Sequence, residues 1–129
     1  MSDMFENINI SKAAISVMAD LRVKDDRYEI YDLEMEGFVL SVTYLNPNKC
    51  TRGHKHDYEE AYYFAQGCGR VKLGRRIVNV KSGDLLRIPP NTFHRVFNDG
   101  DLHRLTFVCA FSRKNKKELL QAMEMKATG

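Results

Sequence analysis

The sequence predicts an all-β fold, a sandwich or small barrel. Three observations carry this. Short runs rich in β-branched and aromatic residues fill the middle of the chain, turn residues interrupt them every several positions, and helical spacing is confined to the two ends.

The elements follow in order. Ser11 can cap a helical turn that carries Ala14, Ile15, Met18 and Leu21 on one side, and Lys24-Asp25-Asp26-Arg27 reads as a turn. Strand spacing begins at Tyr28-Glu29-Ile30-Tyr31-Asp32-Leu33 and continues in Phe38-Val39-Leu40-Ser41-Val42-Thr43-Tyr44-Leu45 before Asn46-Pro47-Asn48 breaks it. Further strands are expected at 60–65, 70–73, 77–80, 85–88, 94–97 and 105–111, with Gly74-Arg75 as a hairpin tip. Lys117-Glu118-Leu119-Leu120-Gln121-Ala122-Met123 switches to helical spacing with Leu119, Leu120 and Met123 on one face. That helix, over about 113–126, either docks on the barrel or forms a dimer contact.

The chain has 129 residues, enough for one domain of ordinary size. No stretch approaches the roughly 20 apolar residues of a membrane span. The opening Met1-Ser2-Asp3-Met4-Phe5-Glu6 has neither a basic start nor an apolar core, which argues against a secretory signal and for a cytoplasmic chain. The net charge of +3 suggests nucleic acid only until it is located. Arg113, Lys114, Lys116, Lys117 and Lys126 against Glu118 and Glu124 account for all of it, so the body is neutral and offers no continuous basic face to phosphate backbones. Cys50, Cys68 and Cys109 form no CxxC pair and read as reduced, small buried hydrophobes.

Three of the four histidines form a pattern. His54 and His56 are two apart, so an extended segment presents both imidazoles on one side. Glu60 follows four residues later. His94 lies far along the chain, after Pro89-Pro90-Asn91, and periodicity does not connect it to the pair. Three neutral imidazoles and a carboxylate are an N/O donor set suited to a divalent transition ion, with room left for water or substrate.

Two segments carry a resemblance. Gly53-His54-Lys55-His56-Asp57-Tyr58-Glu59-Glu60, then six residues to Gly67, resembles the first cupin motif. Gly83-Asp84-Leu85-Leu86-Arg87-Ile88-Pro89-Pro90-Asn91-Thr92-Phe93-His94, then Asn98, resembles the second. Asn91 replaces the usual Gly, and because Asn tolerates left-handed backbone angles better than most residues the turn should survive; Asn48 stands where the first motif's early Gly is usual, a loop position away from the ligands. The resemblance implies a cupin double-stranded β-helix, or jelly-roll barrel, over about 28–111. It implies one divalent metal ion (Fe, Mn, Ni, Zn, Co or Cu) held inside by His54, His56, Glu60 and His94. It also selects Glu60 over Glu59, which should point to solvent, and leaves His103 as a surface histidine.

Parity places other candidates. Tyr62 and Phe64 share the face of Glu60 and read as cavity lining or as barrel filling; Tyr62 as lining could act as acid or hydrogen-bond donor beside Glu60 in catalysis, and Phe64 could contact substrate. Arg52 shares the face of His54 and reads as an anion holder for substrate or as a surface ion pair. The segments around Tyr28–Tyr31, Thr51–His56 and Ile88–Asn98 also resemble cupin-type phosphoglucose isomerases. That implies sugar or sugar-phosphate isomerisation. Fe- or Mn-dependent dioxygen chemistry or decarboxylation, and non-catalytic binding of a small molecule, are the other readings of the same ligand set. The family also implies a homodimer.

Overall fold

A computed structural model describes residues 11–112. The helix read at 113–126 and its apolar face lie outside the described residues. Helix α1 (Lys12–Met18) is followed by nine strands: β1 (Asp20–Lys24), β2 (Tyr28–Glu34), β3 (Phe38–Leu45), β4 (Glu60–Gln66), β5 (Cys68–Leu73), β6 (Arg76–Lys81), β7 (Leu85–Ile88), β8 (His94–Phe97) and β9 (Leu105–Ser112). They form a six-stranded sheet ordered β1-β2-β3-β9-β4-β7 and a three-stranded sheet ordered β6-β5-β8, with antiparallel neighbours. The strand pattern predicts a sandwich or small barrel, and the two sheets form one with the jelly-roll architecture that the family resemblance implies.

The core lies between the sheets. Tyr28, Leu45, Phe64, Leu105 and Phe107 from the large sheet meet Val71, Val80 and Val96 from the small one. Alternation along β4 shows the division: Glu60, Tyr62 and Phe64 are buried, whereas Ala61 and Tyr63 are exposed. On the outer face of the large sheet, Ile15 of α1 covers Tyr31, Val42 and Tyr44. That second layer explains why β2 and β3 bury residues on both faces and break simple alternation.

Two expectations at the N-terminal end change. Ser11 does cap α1, its Oγ accepting from the Ala14 N–H at 3.1 Å. The apolar face is narrower than the spacing suggests, because only Ile15 is buried, Met18 is exposed, and Leu21 belongs to β1. The chain leaves the helix after Met18 because pairing with β2 satisfies the backbone of residues 20–24 instead. The cysteines are free, but only Cys109 is buried; Cys50 is half-buried and Cys68 is exposed at the start of β5. Asn48 and Asn91 adopt positive φ, 60° and 57°, so both asparagines take up the conformation for which glycine is usual. Among the described residues, no helix is long and apolar enough to cross a membrane.

Candidate metal centre

The long connection from β3 to β4 brings two histidines across to the small sheet. His54 and His94 form an isolated antiparallel bridge, His54 N–H to His94 O at 3.2 Å and His94 N–H to His54 O at 3.0 Å. This pairing supplies the link that local periodicity lacks. His56 follows two residues on, and Glu60 opens β4 opposite Ile88. Gly53 lets the connection pass close: its φ is 77°, and a Cβ there would lie 2.7 Å from the Phe93 ring.

The ligand atoms of His54, His56, Glu60 and His94 all lie within 4.8 Å of one another. The ring centroids are 5.1 Å apart for His54 and His56, 4.6 Å for His54 and His94, and 5.0 Å for His56 and His94. The outward ring nitrogens are tied down by backbone carbonyls: His94 Nδ1 is 3.0 Å from Thr92 O, and His56 Nδ1 is 3.3 Å from Tyr58 O. Each carbonyl accepts from Nδ1–H, so each ring presents an unprotonated Nε2 to the cluster. Those two Nε2 atoms are buried without a hydrogen-bond partner. His56 Nε2 touches Glu60 Oε1, out of hydrogen-bond alignment. Buried polar atoms are costly to leave unsatisfied, and a divalent cation would satisfy both. The donor set therefore fits a transition ion.

The electrostatics agree. Burial of its ring lowers the His54 pKa to about 4, helped by the neighbouring imidazoles of His94 and His56, although the residue as a whole is exposed to solvent. Burial also lowers His94, against the opposing pull of the Thr92 carbonyl. For Glu60 burial acts upward, but contacts with His56 and Cys109 outweigh it and hold the carboxyl below its ordinary range. Neutral His54 and His94 and an ionised Glu60 are the forms that bind metal.

Around the cluster, the Tyr58 ring stacks on His56 with centroids 3.9 Å apart, and Tyr62 meets His94 edge-on at 5.8 Å. Burial raises the pKa of both phenols, so they stay protonated. A cleft of about 640 Å³ runs along β4, β7 and β9, and its lining includes Tyr58 and Glu60.

The sequence candidates divide. His54, His56, Glu60 and His94 come together, and Tyr62 borders them. Phe64 is wholly buried, packed on Phe107 and Tyr62, a position of barrel filling. The Arg52 guanidinium is engaged by Asp25 at 2.9 Å and by the Tyr28 hydroxyl at 2.8 Å. Glu59 points outward and pairs with Arg87 at 2.8 Å, and His103 is exposed. Asn98 is buried and ties the turn before β9, donating to Leu45 O and His103 O. Two neighbours of the cluster escaped sequence reasoning. Cys109 presents its thiol to Glu60 Oε2, and Arg22 reaches the barrel's inner face. The alternation of Phe107, Cys109 and Phe111 puts Cys109 on an inner face, but only the β4–β9 register brings it to Glu60.

A barrel of two antiparallel sheets with three imidazoles and a carboxylate gathered at one point has the form of a cupin with a candidate metal site. The Cupin_2 family model, the cupin domain, matches residues 41–111, and the chain belongs to the cupin family. It is 30% identical over 92 residues to the glucose-6-phosphate isomerase of Thermococcus litoralis, covering 57% of this chain and 48% of that protein. It is 37% identical over 59 residues to the uncharacterized protein MJ1618 of Methanocaldococcus jannaschii, covering 45% and 47%. The chain thus spans about half the length of these relatives. Among solved structures it is similar to the Bacillus subtilis oxalate decarboxylase whose Mn(II) centres have been studied, with a TM-score of 0.65, 20% identity, and coverage of 71% of this chain and 27% of that one.

Proposed function

We propose that this chain is a metal-dependent enzyme acting on a small oxygenated metabolite, with sugar or sugar-phosphate isomerisation as its reaction. The observation that carries the metal assignment is the convergence of four ligand atoms within 4.8 Å, two of them orphaned histidine nitrogens. The choice of isomerisation is supported by likeness to the isomerase from Thermococcus litoralis.

His54, His56, Glu60 and His94 would hold the ion, which would supply Lewis acidity to substrate oxygens. Isomerisation moves one proton between neighbouring carbons and one between neighbouring oxygens, with no net change in atoms or electrons. Glu60 is the candidate for carrying the carbon-bound proton, and protonated Tyr62 for donating a hydrogen bond to a substrate oxygen. A homodimer belongs to the same proposal and rests on the family resemblance; a cytoplasmic location rests on the three unpaired cysteines.

Elemental analysis of purified protein comes first, followed by anaerobic incubation of the metal-loaded form with glucose 6-phosphate and fructose 6-phosphate, read by NMR. Interconversion supports isomerisation. Oxygen uptake by the iron-loaded form, or release of carbon dioxide from a carboxylic acid by the manganese-loaded form, would replace it with the second reading. Ligand-dependent melting without turnover would leave a binding module.

A further inference from the structure

We propose that Arg22 grips an oxyanion, a carboxylate or phosphate, on the small molecule held at the metal centre; this rests on the small-molecule reading above. β1 pairs with β2 as Leu21↔Tyr31 and then Val23↔Ile30, so Arg22 is the extra residue of a β-bulge. A bulge re-aims the side chain it carries. Here it turns the guanidinium onto the inner face of the large sheet. Arg22 Nε lies 2.8 Å from Asp32 Oδ2, and Nη2 donates to Ser41 Oγ at 3.4 Å. Ser41 Oγ in turn donates to Asp32 Oδ1 at 2.7 Å.

This group sits on one cross-strand row that ends at the metal centre. Asp32 is opposite Ser41, Ser41 is opposite Cys109, and Cys109 is opposite Tyr62. The Cys109 thiol then touches Glu60 Oε2. Side chains facing each other across neighbouring strands lie about 5 Å apart, so the row is continuous and polar through a barrel otherwise filled with Leu, Val and Phe.

The pair does more than hold the sheet. Asp32 and Ser41 occupy one edge of the guanidinium fork, at Nε and Nη2, and fix its direction. The Arg22 side chain keeps 50% of its surface exposed. A guanidinium clamped on one edge and open on the other is a preorganised donor for an oxyanion.

The test uses Co²⁺-loaded protein, with glycolate and methyl phosphate as probes, followed by the cobalt d–d absorption. Arg22→Gln is compared with wild type and with Arg70→Gln, a control in the other sheet whose arginine pairs with Asp99. Co²⁺ affinity is measured separately by equilibrium dialysis. The proposal expects Arg22→Gln to need about 10- to 100-fold more of at least one anion, the range for a charge-assisted hydrogen bond, with Co²⁺ affinity and far-UV CD unchanged. A response to glycolate alone identifies a carboxylate substrate, and to methyl phosphate alone a phosphate ester. Arg22→Lys, which keeps charge without the fork, should fall between. Equal anion affinity in wild type and Arg22→Gln overturns the proposal, as does loss of Co²⁺ or of fold in both Arg22 variants, which would make the residue structural. Failure of wild type to take up Co²⁺ would instead sink the metal reading itself.

Discussion

The Cys109 thiol on β9 donates to Oε2 of Glu60 on β4, and both groups are buried. The register that sets Cys109 opposite Tyr62 places its sulfur beside the carboxylate two residues before. Burial and the adjacent Glu60 raise the thiol's pKa, so it remains a protonated donor. Oε2 thereby faces the thiol, and Oε1 faces the histidine cluster. Outer partners of this kind change metal affinity by about 10- to 100-fold when removed. Cys109→Ala should weaken Co²⁺ binding by that range and shift its visible spectrum, while Cys109→Ser, still a donor, should recover most of both. Affinity and spectrum unchanged in Cys109→Ala would show that the contact does not orient Glu60.

His94 is 2% exposed and bridged by backbone bonds to His54. His94→Ala removes one ligand and leaves the bridge intact, so the protein should fold and lose stoichiometric metal. His103→Ala, at an exposed site, should keep it. Stoichiometric metal in His94→Ala by elemental analysis would refute the ligand assignment.

Acid should destabilise the metal-free protein through the same cluster. The folded pKa of His54 is about 4 against an ordinary 6.5, so between those values the unfolded chain binds a proton that the folded chain excludes. Stability therefore rises with pH across that window and is lost as pH falls from about 6.5 towards 4. His94 acts in the same direction. Glu60, held below 4.5, adds stability that is present above 4.5 and lost as pH falls through its folded pKa. Urea midpoints at a series of pH values should show this slope in wild type and a shallower one in His54→Gln. A midpoint that holds steady or climbs on acidification would contradict it.

Gly69 separates crowding from backbone strain. A Cβ there would lie 2.1 Å from the Phe97 carbonyl oxygen, which β5–β8 pairing holds in place. Gly69→Ala should cost about 2–3 kcal/mol by overpacking. Gly37, with φ 88° and nothing within 4 Å of its Cβ position, should lose only about 1–2 kcal/mol on the same change, from left-handed strain alone. Denaturant melts of the two variants give the comparison.

The four-residue cluster was legible because the resemblance to two cupin motifs ties Glu60 and His94 to His54 and His56, although no local period links them. The strands from Tyr28 onward were legible because alternation and turn chemistry act locally. β1 was not, since Asp20–Lys24 has no alternating apolar face and becomes a strand only by pairing with β2. Cys109 and Arg22 escaped for a related reason. Their surroundings depend on which strands lie side by side and on a one-residue bulge, both set by long-range pairing rather than by neighbours in sequence.

The reciprocal bonds between His54 and His94 fasten the 46–59 crossover to the opposite sheet at the very point where an ion would dock. The ion would then act as a clasp on the crossover as well as a reactant's handle. Amide deuterium exchange at His54 and His94 should slow on loading, whereas exchange in the β2–β3 pair, remote from the clasp, should keep its pace.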